Sequence, residues 1–284
     1  MAHLLKGAPA AAAVKAQTKE RADRLKAAGI TAALAVLEFG ERPDNAAYLR
    51  GIAKNAEACG VALRHLTEPE DASQAQAEAA LEALNRDPSV HGILLMRPLP
   101  KQLDEARLCS RLAPEKDVDC ATDLSLAGVF EGKDLGFAPC TAQAVMEILR
   151  FYGAELAGRD CVIVGRSLVV GRPLSMLLLQ ENATVTLCHS KTKDLPALTR
   201  RADIVVAALG KAKALGPEHF GQDQILVDVG IHRLPDGSLC GDIDFAAAEP
   251  KAQAITPVPG GVGAVTTAVL LSHVVKAAEA QQKN

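Results

Sequence analysis

The run Cys161-Val-Ile-Val-Gly-Arg-Ser-Leu-Val-Val-Gly-Arg-Pro173 constrains this chain more than any other feature. An apolar stretch short enough for a buried strand ends in glycine, a polar turn follows, and Pro173 suits the first turn of a helix. A strand, a turn and a helix N-terminus in that order can cradle a pyrophosphate with backbone N–H groups and the positive helix end. The pattern reads G-x-S-x-x-x-G-x-P rather than G-x-G-x-x-G, and a turn of this kind also occurs with no ligand. Together with 161–164, the runs 184–188, 204–209, 225–229 and 254–256 read as strands separated by segments of crossover length. Right-handed crossovers then give a doubly wound, Rossmann-like parallel sheet with its ligand outside the carboxyl ends of the strands. At those ends lie 165–171, 189–192, Gly210, Gly230-Ile231 and 257–263, all with glycine or small polar residues.

The first half alternates in the same way. Residues 15–28 form a helical pattern closed by Gly29, and the alanine-rich 8–14 reads as its start rather than as a leader segment. Strands are expected at 31–39, 61–66 and 92–96, and helices at 45–59 (closed by Gly60) and 72–85. The fold class is therefore α/β, in two domains. The turn-rich 128–139 marks the boundary, giving 1–138 and 139–284.

Composition narrows the partners. With 31 Lys and Arg against 34 Asp and Glu, and no basic block, neither nucleic acid nor a membrane surface is indicated. No apolar run approaches a membrane span. The seven cysteines are scattered and form no C-x-x-C pair, which suits a reducing, cytoplasmic setting. The histidines show no metal-ligating spacing, so no metal is expected.

The cofactor is partly legible. An NAD site usually places an acid at the end of the second strand, on the ribose 2′-hydroxyl. Here that strand ends Cys188-His-Ser-Lys-Thr192, and Arg166 lies in the turn beside it. Hydroxyl and cationic groups suit a 2′-phosphate, favouring NADP, although Lys191 and Lys193 also read as an ordinary solvated loop.

Several blocks together resemble one family closely. They are Ala113-Pro-Glu-Lys-Asp-Val-Asp119, Pro139-Cys-Thr141, Val164-Gly-Arg-Ser167 with Val170-Gly171, Asn182-Ala-Thr-Val-Thr186, Cys188-His-Ser-Lys191, Gly241-Asp242 and Ile255-Thr-Pro-Val-Pro-Gly-Gly-Val-Gly263. The chain resembles the methylenetetrahydrofolate dehydrogenase/methenyltetrahydrofolate cyclohydrolase family along nearly its whole length. The resemblance implies a folate-binding first domain, an NADP-binding second domain, a cleft between them and a homodimer. It also implies that the last helix, about 265–280, returns to pack on the first domain. It places Tyr48, Met96, Pro98, Asp119, Pro259, Gly260 and Gly261 around the folate, with Tyr48 and Asp119 as the catalytic candidates. Asp119 would hold the pterin, whose adjacent donors a carboxylate can accept together. Gly165, Arg166, Ser167, Gly171, Ser190 and Ile231 would line the NADP site. Read without the family, Tyr48 is a half-buried helix aromatic and Asp119 a loop cap.

The chain also departs from that family. The family follows its tyrosine with a catalytic lysine four residues on; here that position is Ile52, in Tyr48-Leu-Arg-Gly-Ile-Ala-Lys54. At about 100° per residue, Lys54 is turned about 240° from Tyr48 and Arg50 about 200°, so neither replaces it unless the helix breaks at Gly51. The glutamine that partners the lysine is Met96, in Leu95-Met-Arg-Pro-Leu-Pro100. A buried glutamine without its partner costs about 1–3 kcal/mol, so the two apolar residues read as a matched substitution. Cys120, Ser125, Ala142 and Ala144 stand where the family usually has Gly, Asn, Pro and Gly, and Ala264-Val265 replaces Pro-Met. If that glycine has positive φ, Cys120 would displace the pterin contact. The expectation is an NADP-dependent dehydrogenase with weak or absent cyclohydrolase activity. Two rivals stand beside it: the full bifunctional enzyme, with Lys54 or a water in the lysine's place, and a catalytically inactive folate- or NADP-binding member.

Overall fold

The computed structural model describes residues 2–282. Met1, Lys283 and Asn284, at the outer ends of the two assigned segments, lie outside them. In chain order the elements are β1 (His3–Leu4), α1 (Gly7–Ala27), β2 (Ala33–Phe39), α2 (Pro43–Cys59), β3 (Ala62–Glu68), α3 (Gln74–Arg86), β4 (Gly92–Leu95), α4 (Glu105–Cys109), α5 (Asp123–Glu131) and α6 (Cys140–Phe151). There follow β5 (Asp160–Val164), α7 (Gly171–Gln180), β6 (Thr184–Cys188), α8 (Leu195–Arg201), β7 (Ile204–Ala207), β8 (Gln224–Asp228), β9 (His232–Arg233), β10 (Leu239–Cys240), α9 (Phe245–Ala248), β11 (Ala252–Ile255) and α10 (Thr266–Gln281). The chain packs as two units, one of residues 2–11 and 141–266, the other of 12–140 and 267–282.

The first unit is built on a parallel sheet in the order β1-β11-β8-β7-β5-β6. The central strand β7 is apolar throughout because both faces are covered; Ile204 to Ala207 are all buried. From β5 the chain goes to β6 on one side, then crosses back to β7 on the other. That reversal is a topological switch point, where the loops after neighbouring strands part and leave a crevice. A cut at 138/139 does not describe the packing of the first residues. β1 joins this sheet beside β11, with His3 opposite Ala254, so 2–11 belong with the later segment. A two-residue strand has no periodicity, which is why the sequence does not announce it.

The second unit carries a three-stranded parallel sheet, β3-β2-β4. One face is covered by α3 and α4 around Leu37, Leu81, Ile93 and Leu108. Ser73 starts α3 with a reciprocal capping box with Gln76. Gly128, read from sequence as boundary material, lies inside α5. Thr122 caps that helix, and a Cβ at position 128 would run into the Leu135 carbonyl. The helix α10 packs within this unit: Glu279 accepts from Arg21 Nε at 2.9 Å, and Gln281 donates to the His91 carbonyl at 3.0 Å. Among the described residues no helix is long and apolar enough to cross a membrane.

Gly92 shows how closely α10 approaches the sheet. A Cβ there would lie 2.7 Å from Val118 Cγ1 and 3.0 Å from Val274 Cγ2. Gly92→Ala is therefore expected to lower stability by about 1–3 kcal/mol through overpacking, read as a reduced thermal midpoint. An unchanged midpoint would show that the helix can move away without loss.

Candidate functional site

In the unit of 2–11 and 141–266, β5 is followed directly by Gly165 with φ +139°, and a Cβ there would run into the Ala208 carbonyl after β7. A Cβ on Gly171 would run into the Gly165 carbonyl. The strand end, the turn and the first residue of α7 are thus in backbone contact, and only glycine fits at either place. No side chain caps α7. The Ser167 hydroxyl accepts from Val170 N at 3.1 Å, and Arg166 and Ser167 stand exposed on the rim. Gly165 N donates to the Cys188 carbonyl at 2.9 Å, bringing the end of β6 alongside. Ser190 and Lys191 are exposed there, while His189 Nδ1 accepts from Lys191 N at 3.1 Å. The first acid beyond the strand, Asp194, accepts from Ala197 N and caps α8 instead. The strand end therefore offers hydroxyls and cations and keeps its acid elsewhere.

The loops after β7 and β8 are held by two buried aspartates to which the sequence reading gave no role. Asp242 accepts from Leu209 N, Gly210 N (3.0 Å), Lys211 N (2.9 Å) and His232 Nε2 (2.7 Å). Asp228 accepts from Gly230 N (2.9 Å), Asp242 N (2.9 Å) and Ile243 N (2.8 Å). Burial pushes the Asp228 carboxyl up to about 6, against the pull of those three N–H groups. A Cβ at Gly230 would strike the Asp242 carboxylate, and one at Gly241 the Asp228 carboxylate. The available sequence signal was that each aspartate lies within two residues of such a glycine.

This knot leaves Ile231 56% exposed, and its Cδ1 lies 2.9 Å from where a Cβ on Gly263 would be. The loop 257–263 is fixed in turn by α1: Gly7 N donates to the Gly260 carbonyl at 2.7 Å, and Gly7 itself abuts Gly261. Gly260 takes φ +98°. Pro259, Gly260, Gly261 and Ile231 thus belong to one rim of this unit.

In the unit of 12–140 and 267–282, α2 runs unbroken through Gly51 to Gly60, whose φ of 72° ends it. Ile52 is wholly buried, whereas Arg50 and Lys54 are exposed, as the helical phase requires. Met96 is 6% exposed and donates its backbone N–H to the Leu37 carbonyl at 2.9 Å, continuing the sheet past β4. Pro98 is exposed. Arg97 pairs with Glu105 at 3.0 Å and reaches Cys109 Sγ at 3.6 Å.

Three charged residues lie close together in 116–119, and two of them serve the fold. Lys116 is buried and donates to the carbonyls of Leu84, Asn85 and Asp87 (3.1, 2.7 and 2.7 Å), closing the C-terminus of α3. Burial lowers its ammonium below the usual range. Asp117 accepts from Ala121 N, Thr122 N, Thr122 Oγ1 and Ser125 Oγ at 2.6–2.8 Å. Asp119 is different. Its Oδ1 accepts from Cys140 N at 3.2 Å, the side chain is partly exposed, and burial raises its carboxyl above the usual range. Tyr48 retains 40% exposure; burial of the rest, then the charge of nearby Asp119, raises its hydroxyl. Tyr48, Asp119 and Cys140 therefore share one locality. Cys120 adopts φ 59° itself, so the backbone keeps the left-handed bend and the side chain bears the strain, about 1–2 kcal/mol for an L residue. Among the described residues no group of three or more His, Cys, Asp or Glu is placed to hold a metal.

The fold and these rims define a two-domain α/β protein with a dinucleotide-type glycine turn on one sheet and a polar, partly buried carboxylate on the other unit. Residues 5–119 match the catalytic domain of tetrahydrofolate dehydrogenase/cyclohydrolase, and residues 139–282 match its NAD(P)-binding domain. The chain is 46% identical to bifunctional protein FolD 1 of Desulfitobacterium hafniense over 281 residues, covering 99% of this chain and 100% of that one. It is 48% identical to bifunctional protein FolD of Clostridium botulinum, over 98% of this chain and 99% of that one. Among solved structures it is similar to the bifunctional FolD of Campylobacter jejuni, with TM-score 0.95, 40% identity and 99% coverage of both chains. A second is the Trypanosoma brucei enzyme complexed with NADP cofactor and inhibitor, with TM-score 0.92, 33% identity and coverage of 100% and 99%. The chain belongs to the tetrahydrofolate dehydrogenase/cyclohydrolase family.

Buried His273, next to Cys140, should stay neutral well into acid, because burial lowers its imidazole to about 4. Its contribution to stability is then complete above the ordinary value of 6.5 and is lost as pH falls toward about 4. Proton NMR of the ring should show a titration midpoint near 4; a midpoint at 6.5 would mean that water reaches the ring.

Proposed function

We propose that this chain is an NADP-dependent dehydrogenase that oxidises 5,10-methylenetetrahydrofolate to 5,10-methenyltetrahydrofolate, with little cyclohydrolase activity. The observation that carries the reading is the wholly buried Ile52, with Lys54 exposed, beside an intact Asp119 locality and an intact glycine turn. NADP supplies the hydride acceptor. The chain's part is to hold two ring systems in register, and positioning of that kind needs no lysine. In this reading Gly165, Arg166, Ser167, Gly171, Ser190 and Ile231 hold the cofactor, with Arg166 and Ser190 on the 2′-phosphate. Tyr48, Met96, Pro98, Asp119, Pro259, Gly260 and Gly261 hold the folate. The unit of 12–140 and 267–282 is the folate domain and that of 2–11 and 141–266 the NADP domain of a cytoplasmic homodimer. Water attack on the methenyl carbon is different, because general acid–base groups typically supply about 10²–10⁴-fold and neither Ile52 nor Met96 can move a proton.

A second reading has its own support. Relatives 46–48% identical over nearly the whole chain are named bifunctional, which favours both activities here. One anaerobic assay following NADPH and methenyltetrahydrofolate together separates the two. Methenyltetrahydrofolate accumulating in step with NADPH supports the first reading; its enzyme-dependent decay as fast as it forms supports the second.

Cofactor choice is tested by kcat/KM. NADP should be preferred over NAD, and Arg166→Ala should erode that preference by about tenfold, the loss of one charge-assisted contact. An NAD preference unchanged by the substitution would refute the assignment.

Asp119→Ala should weaken tetrahydrofolate binding by about 10–100-fold, as for a charged hydrogen-bonding anchor, and leave NADP binding within about twofold. Calorimetry with each ligand decides; equal losses would mark Asp119 as a loop residue only.

Restoring the polar pair is the sharpest test of the hydrolytic half. Ile52→Lys alone should do little, since a desolvated ammonium facing apolar groups is held neutral or expelled. Ile52→Lys with Met96→Gln should raise methenyltetrahydrofolate hydrolysis well beyond the sum of the single changes. Additive effects would show that these positions do not act together.

A further inference from the structure

We propose that His273 is a positioning residue for the Asp119 carboxylate, acting with Cys140 through the Val118 carbonyl. The proposal rests on the reading of Asp119 as the pterin anchor. His273 comes from α10 and is 4% exposed; its Nδ1 lies 2.9 Å from the Val118 carbonyl oxygen. A carbonyl only accepts, so Nδ1 carries the proton and the tautomer is fixed. The Cys140 thiol, at the first residue of α6, lies 3.4 Å from the same oxygen and 3.8 Å from His273 Nδ1. Its backbone N–H donates to Asp119 Oδ1. Burial and the neighbouring carboxylates keep that thiol protonated, so it remains a donor.

Two donors thus converge on the carbonyl that precedes Asp119, and a third takes one carboxylate oxygen. On the other side, Cys120 is confined to φ 59°. The peptide before Asp119 can neither rotate nor translate without breaking buried hydrogen bonds. Phe137 stacks on the His273 ring at 4.9 Å, which holds the imidazole in the plane this contact needs. The consequence is a carboxylate with one oxygen committed to Cys140 and its direction set by a helix from the far end of the chain. Loss of the His273 donor should broaden that direction, which weakens a ligand held by two parallel hydrogen bonds more than one held by charge alone.

The test is a double-mutant cycle on tetrahydrofolate affinity, by anaerobic calorimetry on the full chain, with NADP affinity and the thermal midpoint measured alongside. His273→Leu should weaken tetrahydrofolate by about five- to tenfold, the worth of one hydrogen bond, with NADP unchanged. His273→Asn should recover most of it, because the amide nitrogen occupies the place of Nδ1. In an Asp119→Ala background, His273→Leu should cost no further affinity. Additive losses, failure of His273→Asn to rescue, or an equal loss toward NADP would each overturn the positioning role. If His273→Leu does not fold, Cys140→Ala, which keeps the backbone donor, takes its place in the cycle with the same expectation. If Asp119→Ala itself leaves tetrahydrofolate binding intact, the anchor reading fails and this proposal falls with it. If Asp119→Ala weakens binding and His273→Leu does not, only the positioning role is lost.

Discussion

A parallel strand that ends beneath a loop leaves backbone N–H groups with no neighbouring strand to accept them, and in both units buried carboxylates take them. Asp228 and Asp242 collect seven such donors between them, six backbone N–H groups and His232. Asp117 collects four more in the other unit. Unpaired buried groups of this kind would each cost about 1–3 kcal/mol. Satisfied by a rigid carboxylate, they fix loops that would otherwise be the most mobile parts of the fold. The loops so fixed are those that carry Gly210, Ile231 and, two residues beyond Asp117, Asp119. Order in these loops, within each unit, is therefore a consequence of buried charge beneath them.

Glycine serves the same end by a different route. At 165 and 171, and at 230 and 241, the missing Cβ lets a carbonyl or carboxylate occupy the place where a side chain would begin. Each glycine matters because of what lies against it, and the contact partner is always distant in sequence or across a turn. Cys120 is the counterexample, a left-handed residue with a side chain. It shows that the bend beside Asp119 is imposed by the surrounding hydrogen bonds, since the residue itself disfavours it.

The exchange of a polar pair for Ile52 and Met96 is physically coherent. Both positions are buried, where a lone polar group is costly and an apolar pair is not. An apolar pair at these two buried positions leaves no polar side chain there without a partner. On the proposed reading, the chain's contribution is orientation, by Asp119, the bonds that hold it and the glycine rims of the other unit.

The alternation of apolar runs with helical patterns was enough to read two parallel α/β segments, because buried strands and amphipathic helices write their periods locally. The glycine turn at 165–171 and the outward phase of Lys54 were legible for the same reason. Each is a matter of residue type at short spacing. Contacts between distant segments were not legible. β1 pairs with β11, Gly7 abuts Gly261, Asp228 and Asp242 reach loops on three strands, and His273 meets Val118. No local propensity encodes them. The sequence by itself determined which elements form and where backbone may approach closely. Only the tertiary structure decided which distant donors meet which carboxylates, because those hydrogen bonds exist only once the sheets have brought the strand ends together.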